Sequence, residues 1–276
     1  MSENRKFSVL MSVYIKENPA FLKEAVESIL HQTLQPSEVV IVEDGPLTPE
    51  LYQVLEELEA QSSIPIKRCP LEQNRGLGLA LKYGVIQCQY DVIARMDTDD
   101  IAVEDRFEQQ FKLMETENLD LLGGHIAEFI DQPDEIVSYR RVPIKHEDII
   151  VYQRMRSAFN HMTVMFKKEM VLKAGNYEDG LYMEDDLLWL NMISAGARTG
   201  NVDQILCKVR VGAGMFERRG GLRYLKLYRQ ARKRMYERGQ ISYGEYLKSV
   251  LIQVVVALCP GFVRQFIFLK LLRKNK

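Results

Sequence analysis

Val92-Ile93-Ala94-Arg95-Met96-Asp97-Thr98-Asp99-Asp100 is a short apolar run that ends in three carboxylates. The apolar part reads as a buried strand, and the acids at its end are hard to explain as packing. Strand ends in open α/β sheets face the ligand crevice. Carboxylates crowded there repel one another unless a cation neutralises them. Asp97 and Asp99 suit a divalent ion, Mg²⁺ or Mn²⁺, which takes one or two carboxylates and fills its other positions with water and phosphate oxygens. A solvated acidic turn capping a helix that starts near Val103 is the other reading open at this point.

Outward from this segment, strand and helix alternate. Phe7 to Val13 is a strand, and Asn18-Pro19 gives a helix N-cap and first turn followed by Leu22, Val26, Ile29 and Leu30 at helical spacing. Val39 to Val42 is a second strand ending in Glu43-Asp44-Gly45, and Thr48-Pro49 opens a helix through Gln61. Ile64 to Cys69, the helix Gly76 to Gln87, the strand Asp91 to Met96 and the helix Glu104 to Glu117 continue the series. This alternation implies βαβ units and a largely parallel sheet, an α/β fold. Beyond Leu119 the pattern is mixed. Strands are expected at Leu119 to Ile130, Ile136 to Val142, Thr163 to Phe166 and Cys207 to Val211, with helices at Lys168 to Ala174 and Asp185 to Ser194. The polar signals cluster just past the strands.

The formal net charge of −1 hides a division. Residues 217–276 carry 15 Lys/Arg against 3 Glu, a net of +12, which leaves −13 for residues 1–216. An acidic body with a basic tail suggests that the tail meets an anionic surface. The tail divides into a basic helix, Leu222 to Arg238, and an apolar stretch, Tyr246 to Leu272, broken at Pro260-Gly261. Leu247 to Leu258 is well short of the ~20 residues that span hydrocarbon, so an in-plane, interfacial helix pair is expected; a core-packing helical extension or an oligomer contact is the plainer reading. The four cysteines are far apart and show no metal or redox spacing, which suits a reducing cytoplasm. The polar residues 1–6 run straight into a strand, and no signal peptide is visible.

Taken together, several ordered motifs resemble family-2 glycosyltransferases of the GT-A fold, in particular bacterial enzymes of surface-polysaccharide assembly. They are Ser8-Val9-Leu10-Met11-Ser12-Val13-Tyr14, Ser28-Ile29-Leu30-His31-Gln32-Thr33 and Val42-Glu43-Asp44-Gly45, then Asn74-Arg75-Gly76-Leu77-Gly78 and Arg95 to Asp100. Asn160-His161-Met162-Thr163-Val164-Met165-Phe166 and Glu184-Asp185 ahead of Leu188-Trp189-Leu190 complete the set. The resemblance implies a GT-A domain over residues 1–216. Its nucleotide-sugar-binding half would be residues 1–118 and its acceptor-binding, catalytic half residues 119–216, followed by the helical tail at 217–276.

The same resemblance implies roles. Tyr14 and Asp44 would hold the nucleotide base, Arg75 would lie near the nucleotide, and Asp97, Thr98 and Asp99 would form the DXD motif that holds Mn²⁺ or Mg²⁺ against the donor diphosphate. Asp185 would be the general base that deprotonates the acceptor hydroxyl, with Glu184 and Asp186 the neighbours most easily confused with it. His161, Glu184, Trp189 and Arg210 are candidate acceptor or donor-loop contacts, joined by Tyr182, Arg218 and Arg219. Residues alone leave plainer readings open: a turn aspartate for Asp44, helix-dipole acids for Glu184 to Asp186, and core packing, the better reading, for Trp189. The role of Asp100, metal support or helix cap, is likewise open.

The expected activity is inverting transfer from a nucleoside-diphosphate sugar, most simply a UDP-sugar, to a saccharide or polyprenyl-pyrophosphate-linked acceptor. The enzyme would sit peripherally on the inner face of the cell membrane, with no nucleic-acid partner. The rivals are a sugar-nucleotide nucleotidyltransferase, against which Phe7 to Tyr14 contains no glycine, and a non-catalytic RNA-binding module whose tail tyrosines could stack bases.

Overall fold

The computed structural model describes residues 5–178, 183–212 and 221–259. Four strands, β1 (Phe7–Val13), β2 (Glu38–Glu43), β3 (Ile66–Pro70) and β4 (Val92–Arg95), pair in parallel in the order β3-β2-β1-β4. Their apolar runs do not alternate because both sheet faces are covered, so β1 and β2 are buried along almost their whole length. Three helices connect them: α1 (Pro19–Leu30), α2 (Pro49–Gln61) and α3 (Leu77–Gln87). The Asn18 and Thr48 side chains cap α1 and α2 by accepting from the amides of Ala20 and Leu51, with proline in the first turn of each. Next in the chain come β5 (Ile101–Ala102) and α4 (Arg106–Glu117).

The second half extends the sheet with mixed polarity. β6 (Leu121–Phe129), β7 (Ile136–Arg140), β8 (Met165–Lys167) and β9 (Thr199–Arg210) join in the order β4-β8-β6-β9-β5, giving nine strands among the described residues, with β7 paired to β6 off the main path. β8 runs antiparallel to β4 and β6, whereas β9 runs parallel to β6. The carboxyl ends of β1, β2, β4 and β9 therefore open on one edge of the sheet. α5 (His146–Gln153), α6 (Lys168–Lys173) and α7 (Glu184–Ser194) complete the body.

Each face of the sheet has its own apolar core. On one, Phe7, Val9 and Met11 pack with Leu22, Val26, Ile29, Phe107 and Phe111; on the other, Leu10, Val40 and Val42 pack with Ala80, Leu81, Val85 and Trp189.

Several expectations change. The last strand begins at Thr199 rather than Cys207, because exposed Asp203 and Gln204 and a register shift beside Gly124-His125 break its alternation. The strand expected at Thr163 to Phe166 starts later, after a 3₁₀ turn at His161–Thr163. α5 was not anticipated; it lacks a side-chain cap and buries only Ile149 and Gln153.

The tail is helical as expected and packs on the body, in line with its plainer reading. Its helices α8 (Gly221–Glu237) and α9 (Tyr243–Leu258) pack on one another and dock on the body. Leu187 and Leu190 of α7 share a small core with Ala231, Met235 and Ile241. Arg232 is buried and donates to Ser249 Oγ and to the Arg154 carbonyl. Among the described residues no helix is long and apolar enough to cross a membrane. Pro260 to Leu272 lies outside the described residues.

Candidate active site

Asp97, Asp99 and Asp100 leave the end of β4 so that one carboxylate oxygen of each lies within 4.8 Å of the others. Burial, then the Asp97 charge, push Asp99 up to about 7, and burial with the neighbouring aspartates raises Asp100 well above the usual carboxylate range. Three oxygen donors that resist sharing a site without a counter-charge have the chemistry of a hard divalent-cation site. Asp100 accepts from the Arg210 amide (2.9 Å) and caps no helix, so the acidic turn is not the cap of α4.

The strand end is braced from below. Arg106, fully buried on α4, donates to the Arg95 carbonyl (2.7 Å) and to Gln110 Oε1 (3.0 Å). Arg95 is also buried, pairs with Asp97, and among the described residues finds no hydrogen-bond partner for Nε and Nη1. Thr98 is buried, and its hydroxyl donates to Glu17 Oε2 (2.8 Å).

Arg210 is committed elsewhere. It pairs with Glu24 (2.7 Å), and its guanidinium sits 3.8 Å from the Phe21 ring centroid and 4.6 Å from that of Phe129. The expected donor-loop cation is therefore a brace behind the acidic cluster. Arg218, Arg219 and Tyr182 lie outside the described residues.

On the neighbouring strands, Tyr14 is partly exposed at the end of β1. Asp44 is buried after β2, and its two oxygens accept from the amides of Arg75 (2.7 Å) and Gly76 (3.0 Å). This bracket fixes the entry to α3, with the Arg75 side chain exposed. Gly45 has φ +86°, and a Cβ there would lie 2.6 Å from the Asn74 amide nitrogen. Gly45→Ala is thus expected to cost about 2–3 kcal/mol, from left-handed strain plus a backbone clash; a denaturant melt checks it.

The opposite wall comes from α7. Glu184, Asp185 and Asp186 occupy its first turn, where the helix dipole favours negative charge. Burial, then Asp186 and Glu184, push Asp185 up to about 8; burial also raises Glu184. Glu184 packs against α3, since a Cβ on Gly78 would meet its side chain at 3.2 Å. The Tyr177 hydroxyl lies between the walls, within electrostatic reach of Asp185, Glu184, Asp97 and Arg95. It bonds His161 Nε2 (2.9 Å), and burial holds the imidazole neutral.

Trp189 packs behind that pair against Phe159, His161 and Phe166 with no exposed ring face, which corrects any contact with a sugar. Arg95, Arg106, Glu17 and Tyr177 escaped the sequence reading. Arg106 alone left a signal there: a cation on the helix face that carries Phe107, Phe111 and Met114.

An open α/β sheet with a carboxylate triad at one strand end has the GT-A architecture of its structural neighbours. The model of Glycosyl transferase family 2 matches residues 8–175, and the chain belongs to that family.

The chain is 42% identical over 270 residues to an uncharacterized glycosyltransferase of Haemophilus influenzae, covering 98% of this chain and all of the relative. It is 39% identical to the amylovoran biosynthesis glycosyltransferase AmsE of Erwinia amylovora, covering 96% and 98%. It is 36% identical to a UDP-Gal:alpha-D-GlcNAc-diphosphoundecaprenol beta-1,3-galactosyltransferase of Escherichia coli, covering 98% and 97%.

In structure it is similar to S. aureus TarS 1-349 in complex with UDP-GlcNAc, with TM-score 0.63, 16% identity, and 95% of this chain and 70% of that one covered. A mannosyltransferase from Pyrobaculum calidifontis in complex with GDP-Man and Mn²⁺ gives TM-score 0.63 at 15% identity, covering 84% and 64%. These structures establish the fold. The family assignment settles the choice among the rivals in favour of glycosyl transfer.

Proposed function

We propose that the chain is an inverting, divalent-cation-dependent transferase that moves a hexose from a UDP-sugar to a saccharide carried on a lipid diphosphate. The observation that carries this is the Asp97–Asp99–Asp100 cluster, with the first turn of α7 close by: Glu184 is within electrostatic reach of Asp97, and Tyr177 of both Asp97 and the raised Asp185. The lipid-linked acceptor and the uridine nucleotide are supported by the activity of the Escherichia coli relative.

Asp97 and Asp99 would hold Mn²⁺ or Mg²⁺, which supplies Lewis-acid stabilisation to the departing diphosphate. Asp44 fixes the loop at residues 74–76, so that Tyr14, Asp44 and Arg75 frame the base and its ribose. On the other wall, Asp185 takes the proton of the acceptor hydroxyl as its oxygen bonds to C1. The C1–O bond to phosphate breaks in the same step, and UDP leaves with that electron pair. One displacement inverts the anomeric centre. A positioned base contributes roughly 10²–10⁴-fold. Glu184, turned toward α3 and within reach of Arg95 and Asp97, lies on the donor side.

A panel of nucleotide sugars, tested with Mn²⁺ for slow hydrolysis and for transfer to GlcNAc-diphospho-lipid, checks the reading. UDP-galactose is the first donor to try. If no uridine nucleotide sugar is bound or turned over, the proposal falls.

The docked tail offers a membrane face in the same scheme. Arg223, Lys226, Arg229 and Lys233 are exposed on α8, and Leu247, Leu251, Ile252, Val255 and Leu258 are exposed on α9. Cations beside an apolar stripe suit an anionic leaflet, at about 1 kcal/mol per basic residue near the surface. This would hold the enzyme on the inner face of the cell membrane beside its acceptor. Leu251→Gln with Val255→Gln is expected to lower sedimentation with anionic liposomes at least ~10-fold, since two apolar side chains lose about 1.5–3 kcal/mol each. Unchanged sedimentation would remove α9 from the contact.

A further inference from the structure

Besides buried Arg232, the cations of α8 and Arg238 just past its end divide into two groups. Arg223, Lys226, Arg229 and Lys233 face solvent, whereas Arg234 and Arg238 turn inward to Glu178. Arg234 Nη1 donates to Glu178 Oε2 (2.9 Å). Arg238 reaches both carboxylate oxygens, with Nη2 to Oε2 at 3.0 Å, and its Nη1 also donates to Asn191 Oδ1 at 3.2 Å. Asn191 Nδ2 donates to Glu178 Oε1 (3.0 Å), and Gln240 Nε2 donates to Asn191 Oδ1 (2.7 Å).

Glu178 and Asn191 bracket the segment that carries Asp185. The carbonyl of Glu178 also lies 3.1 Å from where a Cβ of Gly78 would stand, so the start of α3 touches the same point. The apolar contact of Leu187 and Leu190 with Ala231, Met235 and Ile241 runs alongside.

We propose that Arg234 and Arg238 are positioning residues of the transfer reaction. Through Glu178 and Asn191, they set where the first turn of α7 stands relative to the donor wall. This rests on the reading of Asp185 as the base. The Glu178 side chain is mostly buried, and the arginine hydrogen bonds, Arg238 first, hold its carboxyl down at about 2. It therefore stays ionised and paired across the working pH range. A forked pair shared by two arginines and an amide is geometrically stricter than a single surface ion pair.

Stability depends on it weakly. Both arginines remain about 40% exposed (41% and 38%), and neither belongs to the two cores that cover the sheet. Removing the pair is expected to leave the fold intact. Rate is far more sensitive, because a base misplaced by about 1 Å can lose ~10²-fold.

The test uses the full chain, UDP-galactose (or whichever panel donor is active), Mn²⁺ and a GlcNAc-diphospho-lipid acceptor. Arg234→Ala with Arg238→Ala is expected to lower kcat about 10–100-fold, with donor KM and UDP affinity changed less than about 2-fold. Hydrogen exchange in peptides covering 183–192 should rise at least ~10-fold, and Arg238→Lys, which keeps the charge but not the fork, should recover only part of the rate that Arg238→Ala loses. Glu178→Gln, which keeps shape and removes charge, should move both readouts in the same direction.

Unchanged kcat and unchanged exchange in the double variant overturn the proposal. So does a parallel fall in kcat and UDP affinity, which would mark general loosening of the fold. Asp185→Asn, run beside it, separates the two ideas. If that variant stays active while the double variant is slow and its α7 exchanges fast, the base assignment fails and the clamp stands.

Discussion

Asp185→Asn is expected to lower transfer by roughly 10²–10⁴-fold while leaving the affinity for UDP and Mn²⁺ within about 2-fold. Asparagine fills the same space at the start of α7 but accepts no proton, so only the chemical step suffers. Glu184→Gln is the control: it faces α3, and its loss should act first on donor KM.

The carboxyl of Asp185, pushed up to about 8, also predicts the pH profile of the parent enzyme. A base works deprotonated, so kcat/KM should climb with pH and level off above about 8. Stability runs the other way. The folded state keeps a proton that an unfolded aspartate, at 3.8, gives up, so this group favours the fold at low pH and loses that contribution between 3.8 and about 8. Because Asp185 keeps some solvent exposure, the asparagine variant should gain about 1–3 kcal/mol above pH 8 and nothing near pH 3. Thermal melts at the two pH values measure it. Full turnover in Asp185→Asn would reject the assignment.

Asp97→Asn and Asp99→Asn should both reduce turnover by about 10³-fold or more, equivalent to losing about 4 kcal/mol of leaving-group stabilisation. Chelation of the cation from the parent enzyme should do the same and be reversed by Mn²⁺. The two variants should differ in stability. Asp97 is the carboxylate partner of buried Arg95, whose Nε and Nη1 find no other partner among the described residues. Asp97→Asn therefore strands a buried guanidinium, at a cost of about 3–5 kcal/mol. Asp99 is held near 7 by burial and by Asp97, so its replacement relieves repulsion and should raise the melting temperature of chelated protein at pH 8. Mn²⁺ should stabilise the parent enzyme and leave Asp99→Asn unmoved. Equal melting shifts in the two variants would mean that Arg95 does not depend on Asp97.

These expectations draw unevenly on sequence and structure. Local rules sufficed for the parallel half: Asn18-Pro19 and Thr48-Pro49 mark helix starts because a capping side chain bonds an amide two or three residues away. The acids at residues 97, 99 and 100 were legible because they end a strand of apolar residues. α5 escaped because no side chain caps it, and the first half of β9 escaped because a register shift breaks its alternation. Arg210 was read as a loop cation, but its partners Glu24 and Phe21 are far away in sequence.

The sequence by itself determined the α/β class, the order of its motifs and the acidic end of β4, since each depends on residues a few positions apart. Tertiary packing is what brings Glu184 within electrostatic reach of Asp97, buries Trp189 in the core and returns Arg234 and Arg238 to Glu178. Such contacts join residues tens of positions apart, where no periodicity links them and burial alone fixes their partners.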